Sequence, residues 1–181
     1  MQEPVDRFAW FFDTCYDDVL RYAARRIDPD TARDVAAETF LVAWRRLSEV
    51  PQVDGDILPW LYGVARNVLA NEYRRERRSQ RLLQRIARSL SGPMSEDDHG
   101  DDVTAVMGLR QALQSLPPRD QEVLQLIGWE ELTIRQAAIV IGCSPATMAV
   151  KVHRARRRFL AILDDQGTPA PILSIPRRTE R

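Results

Sequence analysis

Apolar side chains recur along most of the chain at intervals of three and four residues, the repeat of a helix that buries one face. The pattern is clearest from Leu132 to Leu163, LTIRQAAIVIGCSPATMAVKVHRARRRFLAIL. Ile134, Ala137, Ala138 and Ile141 share one face of a short helix that Gly142 ends. Ser144 is placed to cap the next helix and Pro145 to open it, where a missing N–H costs nothing. Met148, Val152, Ala155, Phe159 and Ile162 then make one apolar stripe, while Ala146, Val150, His153, Arg154 and Arg157 point the other way. Two helices joined by a short Gly-containing turn, the second with a basic outer face, predict a helix-turn-helix that reads duplex DNA.

Upstream, the same period predicts a first helix from about Asp6 to Ile27, ending at Asp28-Pro29. A second follows, capped by Asp28 or Asp30, with Val35, Ala36, Phe40, Trp44 and Leu47 on one face. The stretch SEVPQVDGDIL has no helical period and reads as a loop, after which Pro59 opens a third helix with Leu61, Val64, Val68 and Leu69 inward. That helix runs basic through Arg78, and its helical character extends to about Leu90. Val106, Leu109, Leu113 and Leu116 begin a second bundle, and Pro117-Pro118 restarts the chain into a helix carrying Val123, Leu124 and Ile127. Strand-like alternation is absent from the sequence. The fold class is therefore all-α, with two small helical domains over residues 1–90 and 103–165. Residues 91–102 have the composition of a flexible acidic linker, and the Pro-rich tail 166–181 reads as disordered.

Charge changes the picture more than composition does. Basic and acidic residues number 26 each, so the net charge is zero, but the signs are segregated. Residues 66–88 hold eight arginines against two glutamates, and residues 151–158 hold five cations and no acid. Cys15 and Cys143, far apart in sequence, are too few for a disulfide framework or a zinc site and read as plain buried thiols. No apolar run is long enough for a membrane span and no secretory signal is present, which places the chain in the cytoplasm. A Gly-rich phosphate loop, a nucleophile elbow and a metal-spaced cluster are all missing, so neither an enzyme nor a bound metal or other cofactor is expected.

The third helix carries a second chemical signal. Asn67, Asn71, Arg74 and Arg78 lie on one face, flanked by Arg66, Tyr73 and Arg77. Guanidiniums that track a backbone, amides that bond base edges and a ring that stacks are the ingredients of single-strand binding. The preceding loop is placed to shape a pocket for an unstacked base. A solvated helix held by local ion pairs would show arginines too, and Glu72 is spaced to pair with Arg75. Yet the acids here are too few to neutralise the arginines.

Three segments in order resemble the extracytoplasmic-function (ECF) sigma factors, minimal members of the bacterial sigma-70 family. TARDVAAETFLVAW, residues 31–44, is similar to the family's acidic-aromatic helix. PWLYGVARNVLANEYRRERR, residues 59–78, resembles the segment that melts and reads the promoter −10 element, and LPPRDQEVLQL with the helix-turn-helix resembles the module that reads the −35 element. The resemblance covers roughly residues 8–163. It implies a factor that binds core RNA polymerase, through the β′ clamp helices and the β flap, and directs initiation at promoters held as duplex at −35 and as single strand at −10. An anti-sigma factor is the implied regulatory partner.

By position, the resemblance assigns Asp34, Glu38, Phe40 and Trp44 to the polymerase contact, and an acid pair at i, i+4 suits a basic partner, whereas the two aromatics are equally explained as core. Ala37 stands where relatives commonly have Gln, and Phe40 and Trp44 read as core. Asn67 is the leading candidate for contact with an extruded −10 base, since Asn is otherwise a poor choice inside a helix. Arg66, Asn71, Tyr73, Arg74, Arg75, Arg77 and Arg78 would hold phosphates or unstacked bases. For the −35 element the candidates are Ser144, Ala146, Thr147, Ala149, Val150, Lys151, His153, Arg154 and Arg157. Many relatives have TVKSR or TVRSR where this chain has TMAVK, so a cation and a hydroxyl give way to Ala149 and Val150. Arg156, Arg157 and Arg158 are placed to grip phosphate or to cover the helix end. A helix-turn-helix repressor or activator acting without polymerase would explain the C-terminal half but not the Asn/Arg/Tyr face of the first.

Overall fold

The computed structural model describes residues 4–88 and 105–165, with side chains over 4–78 and 108–165. Every regular element among these residues is helical. They are α1 (Pro4–Ala24), α2 (Pro29–Arg45), a 3₁₀ turn (Leu47–Glu49), α3 (Asp54–Arg88), α4 (Ala105–Gln114), α5 (Pro118–Gly128), α6 (Ile134–Ile141) and α7 (Pro145–Asp165). The expected acidic linker 91–102, the tail 166–181 and the inward placement of Val106 lie outside what is described.

The first three helices form a bundle because each carries one apolar face. Phe11, Cys15, Val19, Tyr22 and Ala23 of α1 are buried, as are Ala32, Val35, Ala36, Thr39, Phe40 and Ala43 of α2. Asp28 is the residue that caps α2, accepting from Thr31 N–H at 3.0 Å, and that bond holds its carboxyl below the usual range. Thr39 is buried without penalty because its hydroxyl donates to Val35 O at 2.7 Å. Phe8, Phe11, Phe12, Tyr16 and Phe40 pack as an aromatic cluster with centroids 4.8–6.5 Å apart.

Two expectations about the first bundle are corrected. The third helix begins at Asp54, inside the segment read as loop, so Pro59 lies within it instead of opening it. Asp54 and Asp56 favour the positive end of the helix dipole. Pro59 cannot donate to Gly55 O, one turn back. That carbonyl instead accepts from the side chain of Gln136, on α6, at 3.2 Å. Trp44 is not core: it is 44% exposed, its ring in a T-shaped contact with Phe8 at 5.0 Å, because its position falls on the rim of the α2 stripe.

The C-terminal helices close around Val123, Leu126, Ala137, Ala138, Val140, Met148, Val152 and Ala155. Ala112 and Leu116 meet Phe159 and Leu163 in a smaller cluster. Leu163, rather than Ile162, completes the α7 stripe, since the buried face advances by four residues at its last step. The two helical groups are not separate bodies. α6 packs along α3, and one apolar core contains side chains from both groups.

Burial has a titration consequence. Desolvation lifts the Cys15 thiol to about 11 and the Tyr22 hydroxyl to about 12. Both groups fold neutral, so their contribution to stability is complete below the pKa values of the unfolded chain and is lost as pH rises through the folded ones. The urea midpoint should therefore fall between about pH 9 and 12, while Cys15 in the native protein resists alkylation at pH 8. Rapid native-state labelling of Cys15, followed by mass spectrometry, would show that this core is open.

Candidate nucleic-acid interface

The helix-turn-helix is built by its caps. Thr133 and Gln136 form a capping box at the start of α6, with Thr133 N–H donating to Gln136 Oε1 at 3.0 Å and Gln136 N–H to Thr133 Oγ1 at 3.3 Å. Gly142 ends α6 with φ 73°, the left-handed conformation that lets the chain turn, and its N–H bonds Ala138 O at 2.9 Å. Ser144 then accepts from Thr147 N–H at 3.2 Å and Pro145 opens α7.

Once Met148, Val152 and Ala155 are buried, helical geometry sends the neighbouring positions outward. Ala146, Thr147, Ala149, Val150, His153, Arg154 and Arg157 are exposed together on α7, with Lys151 half-buried beside them. Ser144 is exposed too, but its Oγ is engaged by the cap and lies 2.9 Å from Thr147 Oγ1. Val150 is 50% exposed, so the first turns offer methyl groups where a charged readout would offer cations. Two of the three trailing arginines have other work. Arg158 ion-pairs with Asp120 and ties α7 to α5, and Arg156 is half-buried, its desolvation lowering its pKa.

The α3 face is equally well defined. Asn67, Asn71, Tyr73, Arg74, Arg75, Arg77 and Arg78 are all exposed. Asn71, Arg74, Arg75 and Arg78 line a shallow hollow of about 350 Å³, and Arg74 is steadied by hydrogen bonds to Asn71 Oδ1 and to Ala70 O. The Tyr73 hydroxyl donates to Arg26 O, so its ring is held against the end of α1 and stays 37% exposed. The expected Glu72–Arg75 pair is present but long, 3.9 Å, leaving that guanidinium 83% exposed. Arg66 is placed differently from the rest. It is half-buried, and its Nε and Nη2 donate to the two carboxylate oxygens of Glu122 at 2.5 and 3.2 Å. That hydrogen-bonded pairing outweighs desolvation and raises its pKa.

A third surface lies on α2. Asp34 and Glu38 are exposed, and Leu41, 41% exposed, continues their line one turn further. Trp44 and Trp10, 44% and 43% exposed, lie on the same pair of helices. Sequence reasoning missed Leu41 because an isolated leucine in a helix is ordinarily counted as core. It also missed Glu122 and Glu130, whose partners are 56 and 104 or more residues away.

Comparison with known proteins matches both halves. Residues 11–79 match the family model "Sigma-70 region 2" and residues 107–159 match "Sigma-70, region 4". The chain is 30% identical to the ECF RNA polymerase sigma factor SigL of Mycobacterium tuberculosis, over 81% of this chain and 83% of that one. It is also 30% identical to the RNA polymerase sigma factor YlaC of Bacillus subtilis, over 78% and 83%. With the ECF RNA polymerase sigma factor BldN of Streptomyces coelicolor it shares 29% identity over 90% of this chain, but spans only 62% of that relative. Its fold is similar to that of the sigma factor RpoE of Bartonella quintana, solved with the anti-sigma factor NepR (TM-score 0.58, 21% identity, 87% and 97% covered). It is similar also to CnrH, solved with the cytosolic domain of CnrY (TM-score 0.55, 25% identity, 87% and 88% covered).

The capping role of Ser144 can be tested by itself. Ser144→Ala should cost about 1 kcal/mol in thermal or urea unfolding, and Ser144→Asp should restore most of it. Equal loss in both variants would mean that the cap does not hold α7.

Proposed function

The chain belongs to the sigma-70 family, and from that premise we propose how it works: as an ECF-type sigma factor that brings core RNA polymerase to promoters and opens them. The observation that carries this reading is the presence, in one chain and in this order, of an Asn/Arg/Tyr face on α3 and a helix-turn-helix on α6 and α7. A duplex-binding regulator has use for the second and none for the first. Among the described residues no group of side chains could hold a metal ion, and no helix is long and apolar enough to cross a membrane. As the family's role implies, the proposed action is binding in the cytoplasm, with residues 1–90, 91–102 and 103–165 as −10 module, linker and −35 module.

Each surface has a task suited to its chemistry. Asn67 bonds the edge of an unstacked −10 base, and Asn71, Tyr73, Arg74, Arg75, Arg77 and Arg78 hold neighbouring phosphates and bases, with Arg66 joining them when released from Glu122. On α7, Ala146, Ala149 and Val150 meet thymine methyls while Lys151, His153, Arg154 and Arg157 supply polar contact to bases and phosphates. Asp34, Glu38 and Leu41, with Trp44 beside them, present acids around an apolar centre, a surface suited to the β′ clamp helices of polymerase. The C-terminal module reaches the β flap, and an anti-sigma factor competes for these surfaces.

Run-off transcription with core enzyme tests the reading. Transcripts should depend on this protein, and Glu38→Lys or Leu41→Ala should weaken core binding roughly tenfold. In single-stranded oligonucleotide titrations, Arg74→Ala and Arg78→Ala should weaken all sequences alike and lower the salt slope by about 0.7 each. Asn67→Ala should instead cost about 1–3 kcal/mol at one base only. Tight duplex binding that core polymerase leaves unchanged would sink the proposal.

A further inference from the structure

The outward face of α7 is uneven in its chemistry, and most so in its first turns, where a recognition helix meets base edges. From Pro145 to Val150 no residue is ionisable, and Lys151, the first cation, is half-buried. Ala146, Ala149 and Val150 are exposed there, and His153, Arg154 and Arg157 follow in later turns. Thr147 brings a hydroxyl to the first turn, but its Oγ1 lies 2.9 Å from Ser144 Oγ and is engaged at the cap.

Val150 stands at the middle of this face. Met148, Val152, Ala155, Phe159 and Leu163 are buried along one side of α7, and a step of about 100° per residue puts Val150 diametrically across from them. Its side chain is 50% exposed, so packing within the chain does not account for a valine there. Helix propensity does not either, since a β-branched residue loses side-chain freedom in a helix and alanine would serve better. Such a side chain is suited to an apolar contact from outside the chain.

The polar readers that α7 lacks narrow what that contact is. Asn and Gln pair with adenine, and Asp and Glu accept from the N4 amino group of cytosine. None of the four occurs between Pro145 and Leu163. The first turns therefore tell one pyrimidine from another chiefly by its C5 substituent, a methyl in thymine and a hydrogen in cytosine. In 5-methylcytosine the same methyl stands at the same ring position. Its N4 amino group differs from the O4 of thymine, but Ala146, Ala149 and Val150 have no side-chain donor or acceptor to register the difference. The reach of this surface is short. Ala146 to Val150 is about one turn, roughly 6 Å along the axis, against a base step of about 3.4 Å, so it covers two or three neighbouring pyrimidines.

We propose that α7 reads C5-methylated pyrimidines, with Val150 as the central contact, and that it accepts 5-methylcytosine in place of thymine. Methylation of a cytosine within the −35 element then strengthens promoter recognition without any change of sequence. This selectivity rests on the −35 reading above and adds to it the class of base that the helix takes.

Selection from a randomised duplex library, with the full chain and core polymerase, yields the −35 element as the upstream enriched block, in which thymine should recur. Competition titrations then compare four duplexes carrying thymine, uracil, cytosine or 5-methylcytosine at that position. Thymine should bind roughly three- to fivefold more tightly than uracil, the worth of one buried methyl, and 5-methylcytosine should exceed cytosine by a similar factor. Val150→Ala, a change on an exposed helix face, should bring both ratios below about twofold. Arg157→Ala should instead weaken all four duplexes and leave the ratios intact. An element without thymine, wild-type ratios near one, or ratios that survive Val150→Ala overturn methyl reading by Val150. A thymine preference over uracil with no gain from cytosine to 5-methylcytosine overturns the acceptance of the methylated base. If no duplex is enriched with or without core polymerase, the −35 reading itself has failed and methyl selection falls with it.

Discussion

A carboxylate removed from water must find partners, and Glu130 is where that constraint organises the molecule. Its two oxygens meet Arg25 and Arg26 at the end of α1, and the Arg26 guanidinium lies 3.6 Å from the centroid of the Tyr22 ring. Tyr22 in turn stacks on Tyr62 of α3 at 4.6 Å. One charged group thus links α1, α3 and the turn after α5. Such a cluster gains little net free energy, since desolvation offsets most of the Coulomb attraction, but losing one member would strand a buried charge at a cost of about 3–5 kcal/mol. Its effect is to select one arrangement of the two helical groups. The stabilisation itself comes from apolar burial, in which Leu61 and Ala65 of α3 share a core with Ala137, Ala138 and Val140 of α6.

Two residues that weaken α3 as an isolated helix lie against α6. Gly63 lowers helix propensity and faces the α6 backbone, where a Cβ would sit in ordinary contact, 3.5 Å from Val140 O. Pro59 leaves Gly55 O without its helical donor, and Gln136 supplies one from α6 while its Oε1 completes the capping box with Thr133. The same glutamine therefore serves the helix-turn-helix and the contact between modules. Against this, the exposed Arg135–Asp56 pair, with Arg135 58% exposed, adds at most about 1 kcal/mol.

Local structure was legible in the sequence wherever one residue type has one physical reason to stand where it does. Asp28, Gly142, Ser144 and Pro145 mark helix ends through backbone groups that need partners, and the structure places each as the pattern predicts. The Asn/Arg face of α3 was readable because a helical repeat brings those side chains together without help from the rest of the chain. Pro59 misled because proline is favoured in the first turn of a helix, and no local signal announces a donor 77 residues further on, at Gln136. Trp44 misled because helical periodicity locates the centre of a stripe better than its rim. Arg66 was legible as a basic residue on a basic helix; its engagement by Glu122 was not, for ion pairs between distant segments leave no period.

The segregated charge of this chain acquires a reason from the same contacts. Several of its acids are internal counterions: Glu122, Glu130, Asp56 and Asp120 answer Arg66, Arg25 with Arg26, Arg135 and Arg158. Outward on α3 between residues 67 and 78 are mainly amides and guanidiniums, with Tyr73 and Glu76 among them, while the first turns of α7 present Ala146, Ala149 and Val150. An apolar patch of this kind discriminates thymine by its methyl group but adds little of the phosphate attraction that dominates DNA affinity. If α7 reads the −35 element as proposed, this patch favours selection by methyl contact, while Lys151, Arg154 and Arg157 supply the phosphate attraction. On that reading, a −10 module engaged on the same promoter would present α7 to its element at a high effective concentration, where a modest methyl contact decides between sites.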